Sequence, residues 1–499
     1  MEQTNSNITL NNRTMNRIDF LKTLGFGGAL IGTVQFVASC KSGGMMPGME
    51  GMNTPSPTVS TGSFTTPLPI PETLTNPTTL TAKARQATVG GRTISVLGYR
   101  DGLLGPTIRV QNGQSLAIGL QNELAEPTNI HWHGLLVPAP MDGHPDQMVQ
   151  SQGTFNYQFR INQQAGTNWY HPHVHGTTGR QVTQGLSGLF IVESPEEKAL
   201  NLPAGSLEIP LILQDKRMTA GGIDYSPTMM ERMNGYFGET MLVNGAEGAF
   251  LNVATRYYRF RVLNGSSARM YNISLSNGKA LVVIGSDNGL LPKPASVTEL
   301  LIGPGERVDL LIDFSGQAIG SEVFLVSNPF SGMGSGNGRQ AFNLLRFAIN
   351  QQESDSFRLP AVLAPTPTKP TSAKTRTFAL TMAMSMSGGM HRINGKVYRA
   401  DAIEETVPLG TTEVWEFDNS TDTMPHVMHF HGAQYQVLER TGGRGKLMPH
   451  ETGWKDTVLV AGGERVKVLT TFAIPGKFVL HCHILEHEDD GMMINFRVA

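Results

Sequence analysis

The segment His481-Cys482-His483-Ile484-Leu485-Glu486-His487-Glu488-Asp489-Asp490-Gly491-Met492 decides how the rest of this 499-residue chain is read. It opens five residues after Gly476. The same interval separates Gly166 from His171-Pro172-His173 and Gly320 from Leu325-Val326-Ser327. Upstream of each lies an extended run that ends in asparagine: Leu120-Gln121-Asn122, Val262-Leu263-Asn264 and Phe417-Asp418-Asn419. One shell therefore occurs three times. Only its outer copies carry imidazole, because none of the 14 histidines falls between His175 and His391.

The shell is built from strands. Ile94-Ser95-Val96-Leu97, Thr107-Ile108-Arg109-Val110, Ser115-Leu116-Ala117-Ile118 and Val458-Leu459-Val460 are short β-type runs set off by glycine turns, and helical periodicity is scarce. With 56 glycines and 29 prolines, turns are plentiful. The length suits about three domains, with expected bounds 67–199, 200–365 and 366–499, the last boundary lying in the Pro/Thr-rich linker Pro365 to Pro370. A hydrophobic content of 39% supports real cores, and a net charge of -2 gives no basic stripe for nucleic acid.

Along a strand, residues i and i+2 face one way and i+1 the other. His131-Trp132-His133, His171-Pro172-His173, His429-x-His431 and His481-Cys482-His483 each offer two imidazoles to one side. Their natural meeting place is the interface between the first and last domains. The Cys482 sulfur must point the other way, where it can join His426, His487 and Met492. Two imidazoles, a thiolate and a weak axial thioether form the blue-copper electron-transfer set. Pro172 fills the cysteine slot of the first domain, which should lack such a centre. Zinc is the ordinary alternative for a few His and Cys ligands, but it uses four ligands rather than twelve and has no redox chemistry.

From about Gly105 to the C-terminus these clusters resemble the four copper-binding signatures of multicopper oxidases. His131-Trp132-His133-Gly134, Trp169-Tyr170-His171-Pro172-His173 and Gly179-Arg180-Gln181-Val182 are similar to the bacterial laccase and cuprous-oxidase branch. The resemblance implies an all-β fold of three consecutive cupredoxin-like Greek-key β-sandwich domains with four copper ions. It implies type 1 copper on His426, Cys482, His487 and Met492, and type 2 copper on His131 and His429. The type 3 pair then takes His133, His171, His173, His431, His481 and His483. None of the twelve is missing, which argues against the copper-free members of the superfamily. Asp142 and Glu488 match the family's proton-delivery positions. Asp422 and Met424 resemble positions at which cuprous oxidases receive Cu(I), and an acidic group there equally suits orienting a phenol.

His175 continues the alternation of His171 and His173 and is read as a hydrogen-bonding residue behind the ligands. His144, His391 and His450 have no partners at useful spacing and are read as bland.

The N-terminus reads as an address. A basic, polar stretch from Arg13 to Lys22 precedes an apolar run, Leu24 to Ser39, that is short for a membrane span and suits a secretory h-region. Val37-Ala38-Ser39-Cys40 resembles a bacterial lipobox, in which Cys40 would carry lipid. Arg17 to Lys22 resembles a twin-arginine signal, with Ile18 where the second arginine should stand. Residues 1–40 are thus expected to be an export signal and 41–66 a flexible tether rich in Met, Gly, Ser and Pro. A periplasmic or envelope location follows, with membrane contact only through Cys40. It also leaves Cys482, the other of the two cysteines, as a lone thiol that needs an explanation.

Dioxygen is the expected acceptor and a phenolic compound or Cu(I) the expected donor, with a role in copper tolerance. Thioethers favour Cu(I), and Met45, Met46, Met49 and Met52 lie in the tether. Met229, Met230 and Met233 form a second group, and Met382, Met384, Met386 and Met390 a third. In that third group alternation also suits a half-buried strand. The competing reading is a lipid-tethered, Met-rich copper-sequestering protein with little turnover. No dinucleotide glycine motif points to NADH-linked chemistry.

Overall fold

The computed structural model describes residues 62–333, 338–366, 373–383 and 388–499. The export signal with Cys40, the tether methionines, Met384, Met386 and the greater part of the Pro365–Pro370 linker lie outside them.

The described residues form six sheets in three pairs. Two four-stranded sheets hold the strands between Thr73 and Glu193. A seven- and a six-stranded sheet hold those between Glu208 and Gln351, and a six- and a five-stranded sheet those between Lys374 and Val498. Each pair encloses one apolar core. Trp132, Tyr157 and Phe190 lie in the first, Phe260, Ile273 and Phe347 in the second, and Trp415, Phe430 and Phe496 in the third. Alternation drives the strands that face solvent on one side. In Ser115–Asn122 and Thr412–Asp418 every second residue is buried. His426–Phe430 is buried throughout, as a strand covered on both faces must be.

The three copies repeat one wiring. Thr79–Ala82 runs parallel to Gly119–Asn122, Glu208–Leu213 to Arg259–Asn264, and Lys374–Ala379 to Glu413–Asp418. Each asparagine that ends the run then closes a corner. The Nδ2 of Asn122 donates to the carbonyls of Glu126 and Val149, that of Asn264 to Arg269 and Ile302, and that of Asn419 to Met424 and Ala461. The runs that start at Gly166 and Gly476 are both strands, Gly166–Tyr170 at the edge of its sheet but buried throughout and Gly476–Cys482 in the middle of its own. The first strand, Thr66–Pro67, pairs in parallel with Ala249–Phe250, so the chain entering the first sandwich leans on the middle one.

Asn264 is fully buried and its amide satisfies two main-chain carbonyls at 2.8 and 3.1 Å. Asn264→Ala leaves them without donors and is expected to lower unfolding free energy by about 2–4 kcal/mol, read by denaturant titration.

Candidate metal centre

Strand Gly476–Cys482 lies antiparallel to His426–Phe430, with Met428 opposite Cys482 and His429 opposite His481. Pleating sends the Cys482 sulfur away from its neighbours' rings. Sγ lies 3.6 Å from His426 Nδ1 and 3.6 Å from His487 Nδ1, with the Val427 N–H directed at it from 3.5 Å. The short helix Leu485–Asp489 folds His487 back towards the sulfur. Met492 is buried in the same apolar cluster as Cys482, and its carbonyl accepts the Cys482 N–H.

On the other side eight imidazoles converge, four from the first sandwich and four from the last. The first-sandwich pairs are not on regular strands, contrary to the alternation expected of them. His131 and His171 meet in an isolated bridge, and the chain around His133 and His173 is irregular. The bridge still aims both pairs at the last sandwich. His131 stacks on His431 at 3.6 Å and His133 on His429 at 3.8 Å between ring centroids.

The ring nitrogens sort themselves into sets. His133, His171 and His483 form one triad and His173, His431 and His481 another, each with ligand atoms within 4.8 Å of one another. His131 and His429 are left facing each other, Nε2 to Nε2, at 3.4 Å. His173 Nε2 and His481 Nε2 are 3.2 Å apart, and His133 Nδ1 and His171 Nε2 3.4 Å. Two nitrogens each about 2.0 Å from one ion, at a tetrahedral angle, are separated by about 3.3 Å.

Partners behind the rings fix which nitrogen faces inward. His131 Nδ1 donates to the Asp142 carbonyl at 2.8 Å, His171 Nδ1 to the Pro172 carbonyl at 2.8 Å and His429 Nδ1 to the Asp456 carbonyl at 2.7 Å. His431 Nδ1 donates to Asp142 Oδ2 at 2.6 Å. His133 is turned around: its Nε2 donates to Asp456 Oδ1 at 2.9 Å and its Nδ1 faces the cluster. Glu488 sits between His173 Nδ1 and His481 Nδ1, at 3.4 and 3.2 Å. Three carboxylates thus each serve one ring from either sandwich.

These residues fit a metal. Burial holds His131, His133, His173, His431 and His483 well below the ordinary imidazole value, and pushes His171 down to about 4 and His429 to about 3. Neutral rings are the ligating form. His431 Nε2 and both nitrogens of His483 are buried without hydrogen-bond partners, a costly state that coordination relieves. Burial also pushes the Cys482 thiol up to about 12, so a cation is needed to hold the thiolate there.

Some expectations are corrected. His175 is exposed and rests against Tyr398 rather than the cluster, because the chain turns after Val174. His391 is not bland: it is buried and stacks on His487 at 3.7 Å, and Nε2 of each ring donates to the Met233 carbonyl. His391, His426 and His487 also bring nitrogens within 4.8 Å of one another. Stacked rings point their lone pairs along parallel planes, so His391 and His487 are poorly disposed to share one ion. Asp142 and Glu488 are fully buried beside the cluster. His144 is a satisfied buried histidine whose Nε2 bonds Asn495 Oδ1 at 2.9 Å, and His450 is buried. Asp422 Oδ2 lies 4.0 Å from His426 Nε2, and Asp422 Oδ1 accepts the Met424 N–H at 3.0 Å.

Asp456 and Arg307 escaped the sequence reading, and Met233, read there as one of a thioether group, acts here through its main-chain carbonyl. The one signal for Asp456 is a charged pair, Lys455-Asp456, set directly before the apolar strand Thr457–Val460.

Models of the multicopper oxidase family match residues 81–197, 220–354 and 364–499. The chain belongs to the multicopper oxidase family. It is 34% identical to the multicopper oxidase mco of Staphylococcus haemolyticus over 410 residues, 81% of this chain and 84% of that protein. It is 32% identical to the laccase of Bacillus subtilis over 458 residues, covering 79% and 88% of the two chains. Among solved structures, the McoA multicopper oxidase of Aquifex aeolicus superposes with a TM-score of 0.80 at 35% identity, over 87% of this chain and 99% of that one. As a multicopper oxidase the chain is an oxidoreductase with copper as its cofactor, and the histidine clusters are where copper fits. Multicopper oxidases use dioxygen with organic or metal substrates.

Gly305 of the middle sandwich, at φ +80°, lies flat beneath the His483 ring, and a Cβ there would sit 3.1 Å from three of its atoms. Gly305→Ala adds backbone strain and displaces that ring. The copper content of the purified multicopper oxidase is expected to fall, measured by elemental analysis.

Proposed function

We propose that this multicopper oxidase couples one-electron oxidation of a reducing donor, Cu(I) or a phenol, to four-electron reduction of dioxygen to water. Four copper ions are assigned: type 1 to His426, Cys482, His487 and Met492, type 2 to His131 and His429, and the type 3 pair to the two triads. The observation that carries this reading is the convergence of eight buried rings in overlapping sets, among them His133-His171-His483, His173-His431-His481 and His131-His133-His429, with His481 and His483 in different triads and Cys482 between them. The main chain of Cys482 therefore links the sulfur to both triads through covalent bonds alone.

Copper, when bound, supplies one-electron redox chemistry at the sulfur and dioxygen binding and reduction at the histidine cluster. The chain supplies the protons and the dryness. All eight rings are 2% exposed or less, so bulk water does not reach them directly. Burial holds Asp142 well above the usual carboxylate range, which suits it to hold a proton at Oδ1, the oxygen that the His431 N–H leaves free. Glu488 stands on the opposite side, against His173 Nδ1 and His481 Nδ1.

On the donor side neither His426 nor His487 has an exposed edge, and the Met233 carbonyl occupies His487 Nε2 at 3.1 Å. Asp422 and Met424, 8% and 7% exposed, border His426, and Asp422 Oδ2 has no hydrogen-bond partner. A nearly buried carboxylate with a methionine two residues along the chain suits a small soft cation better than a planar ring. Cu(I) is accordingly the favoured donor and phenols the slower ones. The basic stretch, the apolar run and the lipobox-like Cys40 in the sequence support an envelope location, where oxidising Cu(I) would limit copper toxicity.

Oxygen uptake by the copper-loaded protein is expected with Cu(I) and, more slowly, with a simple phenol. Uptake with neither, while copper stays bound, would leave a sequestering protein instead. Cys482→Ser should abolish the blue absorption and turnover yet retain most of the remaining copper; persistence of the blue colour would refute the ligand assignment. Asp422→Ala should lower Cu(I) turnover at least tenfold more than phenol turnover (about 1.4 kcal/mol), read as kcat/KM for each donor.

A further inference from the structure

Asp142, Glu488 and Asp456 each serve two rings, one from either outer sandwich, but only Asp456 is itself gripped by the middle sandwich. Arg307 approaches it with both ends of the guanidinium, Nη1 at 2.6 Å from Oδ1 and Nη2 at 2.5 Å from Oδ2. Such a fork fixes the plane of a carboxylate, which a lysine cannot do. Arg307 is held in turn: its Nε donates to the Thr167 carbonyl at 2.8 Å, its Nη1 to Gly305 O at 3.0 Å and its main-chain N–H to Asp287 Oδ1 at 2.8 Å. The other Asp287 oxygen accepts the main-chain N–H groups of Asp456 and Thr457, both at 3.2 Å.

We infer that Arg307 and Asp456 are positioning residues for the type 2 and type 3 coppers, and that through them the histidine-free sandwich sets the geometry of a centre to which it gives no ligand. The inference rests on the copper assignment proposed above. Asp456 acts at two points. Its Oδ1 holds His133 by Nε2, leaving Nδ1 for the first triad, and its carbonyl holds His429 by Nδ1, leaving Nε2 for the pair with His131. His133 and His429 are the rings stacked at 3.8 Å across the interface. A carboxylate free to rotate would release the first contact and slacken the second. Thr457 Oγ1, 2.7 Å from Asp456 Oδ1 and 2.9 Å from His133 Nε2, completes the seat. None of these groups touches the Cys482 sulfur in the contacts described, so the effect is confined to the histidine cluster.

The test is copper loading of the full-length Arg307→Lys protein, followed by total copper, blue absorption and the electron paramagnetic resonance signal of type 2 copper. Arg440→Lys serves as a control. Arg440 is another buried guanidinium paired with carboxylates, Glu451 and Glu464, in the last sandwich. In Arg307→Lys the blue absorption is expected to stay while the copper concentration that half-fills the remaining sites rises about tenfold or more, with an altered type 2 signal. Arg440→Lys should leave both populations alike. Should Arg307→Lys fail to fold, Asp456→Asn is read the same way, since it keeps the main-chain carbonyl on His429 and removes the charge that Arg307 grips. Unchanged loading and an unchanged type 2 signal in a folded variant would overturn the inference. So would parallel loss of blue and non-blue copper, the mark of a purely structural role. A wild-type chain that takes up no copper beyond the blue site would instead overturn the copper assignment itself.

Discussion

Everything at the centre depends on holding neutral imidazoles with their lone pairs facing one another across a dry interface. Left alone, nitrogens 3.2 to 3.4 Å apart repel unless a proton or a cation lies between them. The fold keeps them there from behind. Carbonyls of Asp142, Pro172 and Asp456 and carboxylates of Asp142 and Asp456 take the outer N–H of five of the eight rings, while Glu488 stands behind two more. Because each carboxylate serves both outer sandwiches, closing the interface and presenting the ligands are one event.

The sequence exposed a good deal of this because strand pleating is a strict rule. The interval from Gly476 to His481, matched at Gly166 and His171, marks where a strand starts and how many residues it has before the ligands appear. The same rule put the Cys482 sulfur opposite its neighbours without knowledge of the fold. It failed at His175, since pleating ends where the chain turns, and nothing in His173-Val174-His175 announces that turn. It was also the wrong warrant for His131 and His133, which reach their places by a bridge between irregular segments.

What could not be read was distance along the chain turned into contact. His391 has no neighbour at ligand spacing, yet it lies on His487 because both donate to the same anchor, the Met233 carbonyl, on a segment of the middle third. Arg307 and Asp456 stand 149 residues apart in the chain, and each reads locally as a charge at the edge of an apolar strand. Residues that act by aiming another residue carry no spacing signature, because their constraint is an orientation.

The division of the ligands between Pro172 and Cys482, one slot closed by a ring and the other open to a sulfur, has a consequence for synthesis. Every triad draws on residues near 131–173 and again on residues near 429–483, and the sulfur arrives among the last. A growing chain can thus complete two sandwiches and most of a third while its metal sites are still half-built. The two triads that include His481 and His483, and the sulfur site with them, are complete only after the strand Gly476–Cys482 and the residues that follow it have been added.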